Sequence, residues 1–446
     1  MQRVVFVSGQ KKAGTDAICS AIAMAGLKNV LAGRQEDAMH LSASYGADIE
    51  KDAVYQPVYT GIMEPETAYV LKTFDVQAPA VLADARTQVK DIDFSRVEAV
   101  DGSISLKNAW QIMRDVRKST LAVTNASGKL EGVITTNDIA KSYMAASDNL
   151  ILGVAGTSFA NIIDTLEGEL VEGDPDDALD GGRVMVATAN TEIIAQMIRP
   201  GDVLILGNRY EIQLCGIEQK ARMIIVCDGA RISRTIRKMA KENGCAVIST
   251  PYDTYGAARL INQSMPVSYF MKRRPICFNI NDYIDDIRGI MTSKRFRDFP
   301  ITNENGIYQG MISRRNLIDM DKKQMVLVDH NDKKEAITGI DQAEVVEIVD
   351  HHNLGSIETV RPVNMRCQPV GSTSAIICQM YEEQYVPIDA VTAGLLCSGI
   401  LSATRGLTSD NCTAYDAAAA EHMAAIAGIE LNAHIAAMAD ASEGRM

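Results

Sequence analysis

Consecutive apolar runs, more than strict alternation, organise this chain. Residues 4–7 form a short apolar run that enters a Ser8-Gly9 turn, and residues 17–25 continue as an apolar helix. Residues 66–74 read as the next helix, because Pro65 suits a first helical turn. Further on, residues 184–188, 203–207 and 223–227 read as buried strands, each followed by a turn or helix. Residues 232–243 read as a helix that Gly244 ends. From Met325, strands and helices alternate again to about Ala437. Such alternation predicts the α/β class, with a parallel sheet covered on both faces.

Two stretches repeat one pattern. Residues 103–144 carry a helix, then Leu-Ala-Val-Thr-Asn, a Ser-Gly turn and Gly-Val-Ile-Thr-Thr-Asn-Asp-Ile. Residues 279–318 carry a helix, then Phe-Pro-Ile-Thr-Asn, a Glu-Asn-Gly turn and Gly-Met-Ile-Ser-Arg-Arg-Asn-Leu. Both read helix, strand, turn, strand, helix, as expected for two copies of one module that pair with each other. Residues 150–265 lie between them with their own strand–helix alternation.

At 446 residues the chain has room for about three domains. With 47% hydrophobic and 23% charged residues it has ordinary globular composition. A net charge of −13 argues against general binding to nucleic acid or anionic membrane, since both reward a basic surface. No apolar run reaches the ~20 residues of a membrane span, and the nine cysteines are scattered without a Cys-x-x-Cys pair. The expectation is a soluble cytoplasmic protein with reduced thiols.

The chemistry concentrates after residue 325. The run 326–328 reads as a buried strand that delivers Asp329, His330 and Asn331 at its carboxyl end, and a second strand delivers Asp350, His351 and His352. Ligands of open parallel sheets gather at such ends, and carboxylate with imidazole suits a divalent metal such as manganese or cobalt. The competing reading is that these residues cap strands. Asp350 is expected to orient a neighbouring imidazole. Trp110 is expected to pack a core, and Lys272-Arg-Arg274 to be a surface linker.

The Asp329-His330-Asn331 block, the Asp350-His351-His352 triplet and Gln368-Pro-Val-Gly-Ser-Thr373 resemble the core of family II inorganic pyrophosphatases. The stretch from Thr15-Asp16 to Ala23 is similar to the same family. The repeated module resembles a CBS pair, and the segment ending Thr-Pro-Tyr-Asp-Thr-Tyr-Gly-Ala-Ala-Arg resembles a DRTGG domain. The implied architecture is a parallel-sheet DHH phosphoesterase domain (1–75 with 325–446), interrupted by CBS modules at 76–149 and 266–324 and an α/β DRTGG domain at 150–265. The resemblance implies a cytoplasmic homodimer that splits pyrophosphate into two phosphates with manganese or cobalt, magnesium accompanying the substrate. It assigns metal ligation to Asp16, Asp329 and His351, catalysis to His352 and substrate binding to Arg366.

The resemblance is incomplete. Gln10 stands where the family has its first histidine ligand, Gly14 where it has an aspartate, and Ala403 where a later aspartate would ligate. The sequence also stops where the family continues with a basic substrate lobe. The expectation is therefore a site holding one ion or none, and an impaired relative that still senses adenine nucleotides. The competing reading of these departures is that replacements restore the site, Lys11 and Lys12 contacting phosphate directly with fixed charge in place of a metal. The alternatives are an active manganese- or cobalt-dependent diphosphatase, and another DHH phosphoesterase. For the nucleotide (AMP, ADP or a diadenosine polyphosphate), the CBS resemblance points to Thr135 and Asp138, and to Ser313 and Asn316. A helix amino terminus with a hydroxyl is a natural phosphate seat, although both elements also fit ordinary caps. Arg295 and Arg297 are the accompanying cations, or else part of a solvated face.

Overall fold

The computed structural model describes residues 3–33, 53–144, 148–318 and 320–444. They form two compact units, Met1–Asp91 with Tyr283–Asp285 and Met320–Met446, and Ile92–Asp282 with Asp286–Asp319.

The first unit is built on six parallel strands. Three come from the start of the chain: β1 (Arg3–Ser8), β2 (Ala53–Tyr59) and β3 (Ala80–Val81). Three come from beyond residue 320: β4 (Gln324–Val328), β5 (Glu344–Asp350) and β6 (Asn364–Cys367). Their order is β6-β5-β4-β1-β2-β3. β1 and β4 pair in parallel, with Val7 beside Val326, so the returning chain docks on the first strand. The order runs outward in opposite directions from that pair, which makes β1 and β4 the switch point where open α/β sheets place ligands.

The helices are α1 (Thr15–Gly33), α2 (Pro65–Thr73), α3 (Thr373–Glu383), α4 (Ala390–Ala403), α5 (Ala414–Ala427) and α6 (Leu431–Ser442). One face of the sheet is closed by a cluster joining Val7, Ile18, Met24, Ile376 and Leu396. The other is closed by Ala85, Leu327, Ile337 and Ile348. The expected two-sided covering is therefore present. α1 outgrows its expected span and reaches 19 residues, long and apolar enough to cross a membrane by length and composition. Instead it lies against α4, α3 and β2. Its two charges are matched inside the core, Asp16 by the amino terminus of α3 and Lys28 by Glu347.

In the second unit the first copy of the module pairs strands Thr120–Thr124 and Leu130–Thr135, and the second pairs Asp298–Thr302 and Tyr308–Ser313. The repeat is faithful in detail. A register shift falls at Val123/Thr124 in one and Ile301/Thr302 in the other, and Gly128 and Gly306 both turn at φ 75°. The two turns exchange backbone bonds, Leu130 N donating to Gly306 O (3.2 Å) and Tyr308 N to Gly128 O (3.0 Å). Pairing of the copies is thus observed. Between them lies a five-stranded sheet with four parallel strands, Val184–Val186, Val203–Leu206, Met223–Val226 and Ala246–Ser249.

Three details correct the sequence reading. Trp110 is 44% exposed rather than in a core, because Leu106, Ala109 and Met113 supply the buried face of its helix. Lys272–Arg273 is a short strand paired with Leu130–Thr135, not a linker. The last helix of the second copy is a single 3-10 turn, Arg314–Leu317.

Candidate functional site

The carboxyl ends of β1, β4 and β5 converge on Asp329. It follows β4 directly with φ 64°, a left-handed conformation that aspartate tolerates better than most residues. Both carboxylate oxygens already have protein donors. Gln10 Nε2 donates to Oδ2 at 3.0 Å, and Thr373 Oγ1 donates to Oδ1 at 3.0 Å. His351 Nε2 stands 3.5 Å from Oδ1, and its Nδ1 donates to Val370 O at 3.1 Å, which aims Nε2 at the carboxylate. Burial opposes charge on His351, but the bond to Asp329 and the negative fields of Asp16 and Asp329 lift its pKa to about 9.

Asp350 is fully buried and serves as an orienter. Its Oδ1 accepts from His352 Nδ1 at 2.8 Å and from the amides of His351 (2.8 Å) and His352 (3.2 Å). Burial pushes its pKa upward, yet the bonds from His352 and Asn331 outweigh it and hold the carboxyl below its ordinary value. The hydrogen bond to Asp350 raises His352 in turn. His352 lies beside His351, with ring centroids 4.1 Å apart. Asn331 is structural: it donates to Asp350 and to Asn353 O, and accepts from Gly355 N, pinning the loop after β5. His330 faces inward, donating Nδ1 to Val328 O (2.9 Å), and burial lowers its pKa.

Asp329, His351 and His352 offer ligand atoms that all lie within 4.8 Å of one another. One carboxylate with two imidazoles is a donor set for a single manganese, cobalt or similar ion. Asp16, expected as a ligand, is drawn elsewhere. Its Oδ2 accepts from Thr373 N (2.8 Å), and its Oδ1 from Ser374 N (3.0 Å) and Ser374 Oγ (2.5 Å). It therefore caps α3, and its pKa is pushed up to about 7, first by burial and then by the Asp329 charge. Arg366, expected at the substrate, forks onto Glu383 of α3 at 2.5 and 2.8 Å.

Asp416 and Glu383 were not foreseen. Asp416 is buried, caps α5 through Thr413 and accepts from Gly371 N at 2.7 Å, fixing the loop before α3. Thr413-x-x-Asp416 is legible as a capping box, but its reach to Gly371 is not.

In the second unit, Thr135 Oγ1 donates to Asp138 Oδ2 at 2.6 Å and Asp138 N donates back to Thr135 Oγ1 at 3.2 Å. Ser313 Oγ donates to Asn316 Oδ1 at 2.7 Å, and Asn316 Nδ2 to Asp93 O at 3.0 Å. Both pairs are thus caps as they stand. Arg295 and Arg297 are exposed. Between them Phe296 lies 4.0 Å beneath Lys272 Nζ, and Lys272 is paired with Val133, two residues before Thr135. The basic loop of one copy is therefore linked to the Thr135 strand of the other. A separate cavity of 380 Å³ is lined by Asp101, Ser103, Asn125, Glu131, Asn161 and Ser268 among others, and by none of the residues expected at the nucleotide.

Comparison with known proteins agrees with this layout. The CBS domain family matches residues 89–145 and 267–323, and the DRTGG domain family matches 161–264. A cobalt-dependent inorganic pyrophosphatase of Clostridium perfringens is 35% identical over 430 residues, 96% of this chain and 75% of that protein. A probable manganese-dependent inorganic pyrophosphatase of Thermotoga maritima is 29% identical over 427 residues, 96% of this chain and 74% of that one. The crystal structure of the CBS and DRTGG domains of the regulatory region of Clostridium perfringens pyrophosphatase, complexed with the activator diadenosine tetraphosphate, aligns with a TM-score of 0.50 and 34% identity. It covers 51% of this chain and 100% of its own. With the sheet-edge cluster and the interrupting modules both in place, the chain belongs to the family of metal-dependent inorganic pyrophosphatases that carry CBS and DRTGG domains.

Proposed function

We propose that this chain is an adenine-nucleotide-sensing pyrophosphatase homologue, acting as a cytoplasmic homodimer, whose own hydrolysis of pyrophosphate is weak. One observation carries the reading. The carboxylate at the centre of the site is engaged by an amide and a hydroxyl from the protein, Gln10 and Thr373. Each donor takes one of the two lone pairs on its carboxylate oxygen and so competes with an ion for Asp329, and Gln10 adds no anionic charge to hold one. Asp16 is likewise turned into the amino terminus of α3.

The residues present fit one ion and not a pair. Asp329 and His351 would hold it, with His352 beside them, manganese or cobalt being the metals in the names of the relatives. A bound ion would neutralise charge on the diphosphate oxygens and favour ionisation of water. The remaining work falls to the chain: Asp350 orients His352, whose Nε2 is left to hold or pass a proton at the phosphate. Arg366 stays with Glu383 and positions α3 instead of contacting substrate. Adenine nucleotides such as AMP, ADP or a diadenosine polyphosphate bind the paired modules, with Arg295 and Arg297 on the phosphates and Thr135, Asp138, Ser313 and Asn316 at the helix starts. The solved regulatory region bound to diadenosine tetraphosphate supports nucleotide binding by these modules.

Phosphate release from pyrophosphate with manganese or cobalt, magnesium present, tests the first half. Release close to the metal-only control is expected, and turnover near the enzyme median of about 10 s⁻¹ would contradict it. Calorimetry with AMP, ADP and diadenosine tetraphosphate tests the second, where heat is expected for at least one.

A further inference from the structure

We infer that the switch point between β1 and β4 carries a lysine rim that binds inorganic diphosphate without any metal. Two loops make the rim. The first, Gly9 to Gly14, joins β1 to α1 and carries Lys11 and Lys12 side by side. It must pass tightly over the helix, since a Cβ at Gly9 would lie 2.6 Å from Ala17 O. The second follows Asp329 and carries Lys334, whose backbone donates to Asp332 Oδ1 at 2.8 Å. Lys11 N donates to Glu335 O at 2.7 Å, so the two lysine-bearing loops are stitched backbone to backbone.

Charge availability decides which lysines count. Lys333, in the same loop, is paired with Asp341 at 2.6 Å and is excluded. Lys12 is 81% exposed and 3.4 Å from Glu64, an exposed pairing that binds little and yields to a stronger anion. Among the described residues, Lys11 and Lys334 are exposed and in no ion pair within 4.0 Å, although Lys334 lies near enough to Asp332 for its charge to help lower that carboxyl. Gln10, between Gly9 and Lys11, turns inward to Asp329. The loop therefore shields the buried acid with its amide while presenting cations outward.

The chemistry this rim recognises is a compact polyanion. Each ammonium is a point charge with several donors and no demand for planar geometry, which suits tetrahedral phosphate oxygens. Three such charges on two loops match a diphosphate better than a monophosphate, because a second phosphoryl group can reach the other loop. The inference rests on the reading above for the identity of the anion. It differs in mechanism, since fixed side-chain charge, and not an ion, holds the anion.

Titration of the EDTA-treated full chain with sodium pyrophosphate, by calorimetry, tests this. Binding is expected, weakening as salt rises, and at least tenfold weaker for orthophosphate. In the variant K11M/K12M/K334M, pyrophosphate affinity should fall by about tenfold or more, while an unchanged circular dichroism spectrum and thermal unfolding midpoint serve as the folding control. No pyrophosphate binding by the metal-free protein, undiminished binding by the triple variant, or equal affinity for orthophosphate would each overturn the inference. The two readings fail separately. Fast manganese-dependent turnover would sink the weak-hydrolysis reading, whereas a slow protein with no metal-free binding would sink the lysine rim alone.

Discussion

The edge of the first unit's sheet and the face of the paired modules treat their polar residues in opposite ways. At the sheet edge the acids have been given protein partners: Asp329 has Gln10 and Thr373, Asp16 has Ser374, and Asp350 has His352. On the modules, Arg295 and Arg297 stand exposed beside the capped helix starts. A buried carboxylate with a protein donor on each oxygen is partly satisfied without a ligand, whereas exposed arginines lose little by meeting a phosphate.

That contrast can be broken most strongly at the sheet edge. The double change Gln10→His and Gly14→Asp replaces a donor amide with a ligating imidazole and adds an acid. It should raise manganese-dependent phosphate release by on the order of 10–100-fold, the range spanned by changes around metal ligands. Unchanged release would mean that Gln10 is not the limiting feature. On the other region, Arg295→Ala with Arg297→Ala should weaken nucleotide binding by about tenfold in calorimetry. The same variant should leave metal uptake untouched. An equal effect on both would show that the contrast is misplaced.

The smallest effect concerns stability of the second unit. Burial acts to raise the Asp202 pKa, but bonds from Arg183 and the amides of Arg183 and Arg199 hold it below the ordinary carboxyl value. A depressed folded value means that this stabilisation is present above the unfolded pKa and is lost as pH falls through the folded one. Asp202→Asn should therefore lower the unfolding midpoint at pH 6, on the order of 2–4 °C. The gap from wild type should begin to narrow as pH falls below about 4 and close once pH passes below the depressed folded value. A gap that does not narrow at all on acidification would assign the effect to packing.

Much of the architecture was legible because it is locally encoded. The repeat announced itself through matching strands and Gly-containing turns, and the structure reproduces even the shared register shift. Asp329 and His351 were legible as a site because polar residues follow apolar strands twice. The partners of those residues were not. Gln10 was readable as a missing ligand, but only the fold shows that its amide turns to Asp329, a residue 319 positions away. Asp16 was readable as a candidate ligand, but only the fold shows Thr373 N, 357 positions away, donating to its oxygen. Residue type supplied the wrong environment for Trp110, since helical spacing, not aromaticity, decides which side faces the core.

The most direct test of the engaged Asp329 is the number of ions that the full chain retains. Protein purified with manganese and freed of excess should carry at most one ion per chain when its metal content is measured by mass spectrometry. Two ions per chain would show that Gln10 and Thr373 yield to metal, and that the sheet edge is an intact two-ion centre.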